Sequence, residues 1–315
     1  MNAQKPLAQK PQNPSPELVA GLKQALGDSA VAIDEPLSKH TTFKIGGPAD
    51  ILVQPRTIDE IKETIGICRE FNAEWRVMGL GSDLLIADAG LRGVTIKLAE
   101  AFSKIKIDNT KLIACAGASN EQVAAAARQA GLAGYEFASG IPGSIGGAAI
   151  MNAGAYGGEF KDVAESVLCL TPEGELREVS AAEADWSYRH SMMNDNSLVV
   201  LQATLALHED DPAAIQERMD DLAARRNEKQ PLEMPSAGST FKRPEDHFAG
   251  KLIQDAGLQG YRVGDAEVSR KHAGFVVNAG NATAAQVRQL IEDVQASVFE
   301  MSGVELEPEV RMWGF

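Results

Sequence analysis

The sequence predicts a mixed α/β and α+β chain of three successive units behind a flexible tail. Three observations carry this reading. Short apolar runs of strand character alternate with amphipathic stretches that open on Ser/Thr-x-x-Glu/Gln, the signature of a capped helix. The strand-like runs end in glycine turns, where open α/β sheets place their ligands. The length of 315 residues is that of about two domains. The divisions fall at 1–18 (tail), 19–105, 106–209 and 210–315.

Composition narrows the function classes. An apolar fraction of 44% with 23% charged residues is that of an ordinary soluble globular protein. A formal net charge of −14 argues against nucleic acid or an anionic membrane as the main partner, since either wants a basic surface. Cys68, Cys115 and Cys169 are far apart among apolar neighbours and read as reduced buried thiols of a cytoplasmic protein. Five scattered histidines offer no metal-ligand spacing, so no metal is expected. No apolar run is long enough to span a bilayer, and the polar, proline-rich N-terminal stretch has no signal core. A monomer is expected.

In chain order, Pro16 to Leu26 reads as a short helix ended by Gly27. The turn H-T-T-F-K-I-G-G-P-A-D (40–50) leads into the strand-like Ile51-Leu52-Val53. Thr57-x-x-Glu60 is a capping-box pattern before a helix with Ile58, Ile61, Ile65 and Cys68 on one face. A strand at 75–78 runs into G-L-G-S-D (79–83), followed by strands at 84–86 and near 94–98. In the second unit, strand 112–115 precedes a helix capped by Ser119-x-x-Gln122. Strands 163–170 and 175–179 follow, joined by Pro172-Glu173-Gly174. Ser180-x-x-Glu183 predicts a further short helix, and 197–207 a closing strand. Asp211-Pro212 starts a charged helix running to about Lys229, whose charges read as a solvated face. The third unit has a glycine turn at 237–241, a helix near 248–256 and a strand at 273–278. A helix capped by Thr283-x-x-Gln286 and an extended segment at 305–313 complete it.

Between the two halves of the second unit lies the densest glycine stretch of the chain, G-I-P-G-S-I-G-G-A-A-I-M-N-A-G-A-Y-G-G-E (140–159). Glycines beside Ile141, Ile145, Ile150 and Met151 point to backbone brought close to something. Bare N–H groups ahead of a helix make a phosphate or dinucleotide cradle; a tightly packed turn is the plainer alternative. No P-loop and no G-x-G-x-x-G fingerprint is present.

Read together, eight collinear stretches resemble the UDP-N-acetylenolpyruvoylglucosamine reductases. They are H-T-T-F-K-I-G-G (40–47), G-L-G-S-D (79–83), the 140–159 stretch, Y-R-H-S (188–191), S-A-G-S-T-F-K (236–242), A-G-K-L-I-Q-D-A-G-L-Q-G (249–260), V-S-R-K-H-A-G-F-V-V-N (268–278) and L-E-P-E-V-R (306–311). The short passage from Tyr188 to Ser239 resembles the subgroup that lacks an extra substrate loop. The resemblance implies a two-part FAD-binding region of the vanillyl-alcohol-oxidase (PCMH) type, followed by an α/β substrate-binding domain. It also implies FAD as tightly bound cofactor and NADPH as reductant. The implied reaction reduces UDP-N-acetylglucosamine enolpyruvate to UDP-N-acetylmuramate for peptidoglycan. The expected cofactor contacts are Gly79, Gly81, Ser82, Asp83, Gly140, Gly143, Ser144, Gly146, Gly147, Asn152, Ala153 and Gly154.

By the same resemblance Ser239 is the proton donor, Arg189 the active-site arginine and Glu309 the catalytic glutamate. On residue type alone Ser239 reads rather as a turn residue or helix N-cap, and Arg189 as a surface ion pair, which is what most arginines form. Glu307 rivals Glu309, because the pleat would put both on one side. A carboxyl beside developing negative charge helps only when protonated or hydrogen-bonded, so a raised pKa is expected of it. Tyr188, Lys242 and Lys251 are substrate-binding candidates, each equally an ordinary packing or surface residue. Two positions depart from the family pattern: Asp83 stands where Asn is usual, and Arg243 where Asn follows Phe-Lys. Asp83 is expected to accept backbone or ribose hydrogen bonds or to face away. The competing functions are an oxygen-dependent oxidase of the same fold, for which His40 is the nearest covalent flavin anchor, and a non-catalytic nucleotide-binding protein.

Overall fold

The computed structural model describes residues 14–315, so the predicted tail lies outside the described residues except at its end. There Pro16–Leu26 is helical from its first residue, Ser15 caps it, and Leu18 is buried. The last residues counted with the tail are therefore part of the first core.

The first unit is a four-stranded mixed sheet in the order Val31–Pro36, Pro48–Val53, Leu91–Lys97, Trp75–Met78. The two strands flanking Leu91–Lys97 run parallel to it, and Val31–Pro36 is antiparallel at the edge. Helix Ile58–Glu70 buries Ile61, Ile65 and Cys68 against this sheet. The Thr57 hydroxyl accepts from the Glu60 N–H as expected. The Glu60 carboxylate takes the Arg56 N–H instead of that of Thr57, so half of the predicted box forms.

The second unit is a five-stranded antiparallel sheet ordered Leu176–Ser180, Ala164–Leu170, Val199–Ala206, Lys111–Cys115, Ile105–Asp108. The last of these is a strand the sequence reading did not separate. Ile105-Lys106-Ile107-Asp108 does alternate apolar and polar residues, but the run is only four residues long and mostly exposed. Ser119 and Gln122 form a complete capping box. Ser180 and Glu183 do bond to each other, but residues 181–184 close only a turn where a helix is predicted. Asp185 then enters the left-handed region at φ 46° and ends it.

Helix Pro212–Lys229, grouped by sequence with the third unit, packs on the second. Ile215 lies in the core shared by the first two units, with Met219 against it. Arg218 ties the same helix to Glu136.

The third unit is an antiparallel sheet ordered Ser236–Ser239, Phe275–Asn278, Ala266–Val268, Arg262–Val263. Helices Ala249–Asp255 and Ala284–Ser302 share its core, the latter with a complete capping box at Thr283 and Gln286. The predicted glycine turn at 237–241 is instead an edge strand, bulged between Ser236 and Ser239, with Gly238 at φ 76°. From this unit the chain returns to the first: Arg311–Trp313 pairs in parallel with Leu84–Ile86. That return brings the C-terminal segment beside the end of the G-L-G-S-D turn.

Cys68 and Cys169 are buried and Cys115 half-buried, all free. Burial pushes the first two thiols up to about 11 and about 12, so they are inert at neutral pH. Among the described residues no helix is long and apolar enough to cross a membrane, and no cluster of acidic, His or Cys side chains could hold a metal.

Candidate active site

Two glycine segments meet face to face between the first and second units. Gly79 lies so close to the Ser144 hydroxyl that a side chain at 79 would displace it. Gly81, at φ 65°, lies against the carbonyl of His40, and Gly143, at φ 124°, against the Ser82 hydroxyl, 2.7 Å from where a Cβ would stand. The Asn120 N–H donates to the Gly143 carbonyl, and Ile145 and Gly146 donate to the carbonyls of Ala118 and Ala116. Gly146 is glycine because a Cβ there would meet Ala116 at 3.0 Å.

Gly147 is different. It sits inside helix Ile145–Met151, where glycine costs roughly 0.5–1 kcal/mol relative to alanine. A Cβ there would meet nothing nearer than the Ser144 hydroxyl at 3.8 Å. No protein atom explains this glycine. The residue is exposed, and the space above it suits a flat or anionic group held against bare backbone. Ser144 is buried at the N-cap position, yet its hydroxyl makes no capping bond. These features fit a dinucleotide cofactor lying along the seam.

Three of the expected cofactor residues are occupied within the protein. Asn152, at φ 43°, donates its amide to Glu159 and to the Ser187 carbonyl and accepts from the Lys161 N–H. Ala153 exchanges backbone bonds with Ala148 and Phe160, and Gly154 pairs with Glu159 in a two-stranded hairpin. These contacts brace the stretch.

That bracing reaches the next functional segment. The Trp186 indole donates to the Ala149 carbonyl, the Ser191 hydroxyl to that of Ile150, and Asn152 holds Ser187. Between these fasteners Ser187 and His190 close a tight turn, with Arg189 at φ 56°. A non-glycine residue there stores on the order of 1–3 kcal/mol of strain. Its side chain is thereby aimed at Glu309: Nε donates to Oε1 at 2.6 Å. The Tyr188 hydroxyl accepts from the Arg243 N–H at 3.1 Å and lies 3.4 Å from the other Glu309 oxygen.

Glu309 itself is fixed by backbone. Its N–H donates to the Thr240 carbonyl, the Lys242 N–H to that of Glu307, and the Arg311 N–H to that of Asp83. The segment thus runs between the strand carrying Ser239 and the turn carrying Asp83. Ser239 is exposed on this strand, next to the residue that holds Glu309. The Thr42 hydroxyl, from the H-T-T-F turn, donates to the Ser236 carbonyl while its N–H bonds Gly81. All three units therefore contribute to one cluster.

The structure separates the two rival glutamates. The Glu309 side chain is 14% exposed, whereas that of Glu307 is 68% exposed and pairs with Lys242 at the surface. Burial raises the Glu309 pKa. Arg189 and Tyr188 oppose the rise, the Asp83 carboxylate adds to it, and burial wins. Asp83 is likewise raised, by burial first and against the pull of Arg311 and Arg189. Asp83 lies in the electrostatic neighbourhood of the arginine–glutamate pair.

Lys251 is exposed and pairs with Asp255 one turn along its helix. Both ring nitrogens of His40 are engaged, by Glu35 and by Lys97, which disfavours it as a covalent flavin anchor. Arg226, which sequence reasoning left on a solvated face, is buried, and its guanidinium donates to the Gly140 carbonyl. It falls on the same helix face as Ile215 and Met219, and that register was the available signal.

Comparison with known proteins gives a consistent result. Residues 49–180 match the FAD binding domain family model, and residues 230–313 match the C-terminal domain of UDP-N-acetylenolpyruvoylglucosamine reductase. The chain is 50% identical over 287 residues to the reductase of that name from Clostridium beijerinckii, covering 91% of this chain and 94% of that protein. It is also 50% identical over 308 residues to the one from Agathobacter rectalis, covering 94% and 98%. The crystal structure of the reductase from Thermus caldophilus superposes with a TM-score of 0.77 at 35% identity, covering 90% of this chain and 98% of that one.

Proposed function

This chain belongs to the UDP-N-acetylenolpyruvoylglucosamine reductase family, and we propose that Ser239, Arg189 and Glu309 carry out its reaction. The activity is the FAD-dependent reduction of the enol ether double bond of UDP-N-acetylglucosamine enolpyruvate, which yields UDP-N-acetylmuramate for peptidoglycan synthesis. Bound FAD supplies two-electron transfer between NADPH and the substrate double bond.

The chain's own residues handle charge and a proton. Addition to the terminal vinyl carbon leaves negative charge on the carbon next to the substrate carboxylate. Arg189 is charged throughout, with a planar fork suited to a carboxylate. Its turn and its contact with Glu309 preset its direction, so little reorganisation is left for the moment of reaction. The Ser239 hydroxyl donates the proton to that carbon. Glu309, its pKa raised by burial, supports the serine and the developing enolate as the carboxyl of a proton relay. Gly79, Gly81, Ser82, Gly143, Ser144, Gly146 and Gly147 hold the cofactor, while Asn152, Ala153 and Gly154 keep their shape. Tyr188, Lys242 and Arg243 face the substrate. The observation that carries this reading is the Arg189–Glu309 contact, aimed by a strained turn and lying beside the Ser239 strand.

The site is complete within one chain, which supports action as a monomer, and the free buried thiols support a cytoplasmic location. The test is NADPH consumption by the purified protein with and without UDP-N-acetylglucosamine enolpyruvate, with the product weighed by mass spectrometry. Consumption that depends on the enolpyruvate and yields a product heavier by two hydrogens supports the proposal. Consumption that depends on oxygen instead refutes it and favours the oxidase.

A further inference from the structure

Helix Pro212–Lys229 carries three arginines with different environments. Arg218 grips Glu136 and Asp210, and Arg225 pairs with Asp221 one turn away, both as surface ion pairs. Arg226 is 6% exposed. Its guanidinium crosses from the helix to the glycine-dense stretch, where Nη1 donates to the carbonyl of Gly140. Its Cζ stands 5.9 Å from the ring centroid of Tyr156. No carboxylate acts on it: burial pulls its pKa down, and only the phenol of Tyr156 works in the other direction. A buried cation held by one carbonyl dipole and a ring face is costly, and it calls for an anion to complete its surroundings.

Gly140 points the same way. It shows no left-handed backbone, so its lack of a side chain is not a matter of conformation. A Cβ there would stand 3.1 Å from Nε and 3.2 Å from Cδ of Arg226. The glycine leaves room for the guanidinium beside residues 140–143, of which Gly140 and Pro142 are exposed.

The geometry points to Arg226 as the counter-charge for an anionic group of bound FAD. This rests on the reading of the glycine seam as the FAD cradle. FAD offers two such groups. One is the pyrophosphate, charged in both redox states; the other is the N1–C2=O edge of the isoalloxazine, which gains negative charge on reduction. A charge-assisted hydrogen bond to either changes affinity by about tenfold to a hundredfold.

The test compares the parent protein, Arg226→Met and Arg226→Lys. FAD is titrated into the stripped proteins by flavin fluorescence, and the midpoint potential of the bound flavin is measured. Arg226→Met is expected to weaken FAD binding, with Arg226→Lys recovering most of the loss. Equal weakening in both redox states identifies the pyrophosphate. Weakening confined to reduced FAD identifies the isoalloxazine edge and lowers the potential by about 30 mV per tenfold. Unchanged affinity and potential in a folded Arg226→Met would overturn the proposal and leave Arg226 a strut between helix and loop. Should Arg226→Met fail to fold, Arg226→Gln keeps a donor for the Gly140 carbonyl without the charge. It is expected to weaken FAD in the same sense, and unchanged binding there overturns the proposal too. A parent protein that takes up no FAD would overturn the cradle reading itself, an outcome distinct from a parent that binds and a variant that binds equally well.

Discussion

Replacing Glu309 with glutamine separates its proton from its shape. In the structure the carboxyl accepts the Arg189 Nε–H at 2.6 Å and is 14% exposed. An amide oxygen can take that same bond, so the turn at Arg189 should stay in place. Lost are the exchangeable proton and the charge. General acid–base participation contributes 10²–10⁴-fold, or about 3–5 kcal/mol of barrier. The expected result is a fall of that size in flavin reoxidation by the enolpyruvate, with flavin reduction by NADPH little changed. Stability should move in the opposite direction. Burial raises the Glu309 pKa above its unfolded value. Its favourable contribution is therefore present below the ordinary carboxylate range and lost as pH rises through the raised value. Glu309→Gln removes that loss, so relative to the parent the variant should gain stability as pH rises from below the ordinary carboxylate range through the raised value. Anaerobic stopped-flow absorbance and urea melts at two pH values measure both effects. A variant that reoxidises as fast as the parent, or that grows relatively less stable as pH rises, would refute the reasoning.

Four further outcomes follow from the same geometry. Ser239→Ala removes an exposed hydroxyl, so the melting temperature should hold, within about 0.5 kcal/mol, while the enolpyruvate half-reaction falls 10²–10⁴-fold; equal loss of both half-reactions would count against a proton-donor role. Gly147→Ala should stabilise the FAD-free protein by roughly 0.5–1 kcal/mol yet weaken FAD binding in a fluorescence titration, whereas Gly81→Ala, at φ 65° and against a backbone carbonyl, should destabilise it by about 2–4 kcal/mol. Asp83→Asn removes a carboxylate that pushes the Glu309 pKa up, so the pH–rate profile of the enolpyruvate half-reaction should move to lower pH; an unmoved profile would show that the two carboxyls are not coupled.

The sequence made the ends of elements easier to read than their partners. Helices at Asn120–Gln129 and Ala284–Ser302 start where complete capping boxes form, because a cap is a local contract between residues three apart. The same pattern at Ser180 closed only a turn, since Asp185 breaks the run immediately after it. Gly238 suggested a turn but serves a bulge in an edge strand, and only the partner strand Phe275–Asn278 distinguishes the two. Within the site, Gly79, Gly81, Gly143 and Gly146 were legible because close approach leaves little room for a side chain. Asn152 was not: its amide braces Ser187 and Glu159, contacts that depend on residues far along the chain. The choice of Glu309 over Glu307 rests likewise on the return of the C-terminal strand to Leu84–Ile86. Arg226 lay hidden among surface charges although its register with Ile215 and Met219 marked it as facing inward.

The most direct test of the central claim is an anaerobic flavin absorbance trace on the purified protein, with NADPH added first and UDP-N-acetylglucosamine enolpyruvate second. The account predicts bleaching by NADPH and recovery on addition of the enolpyruvate. A flavin that bleaches and recovers only when oxygen is admitted would contradict the substrate. A preparation without a flavin band that takes up no added FAD would contradict the cradle.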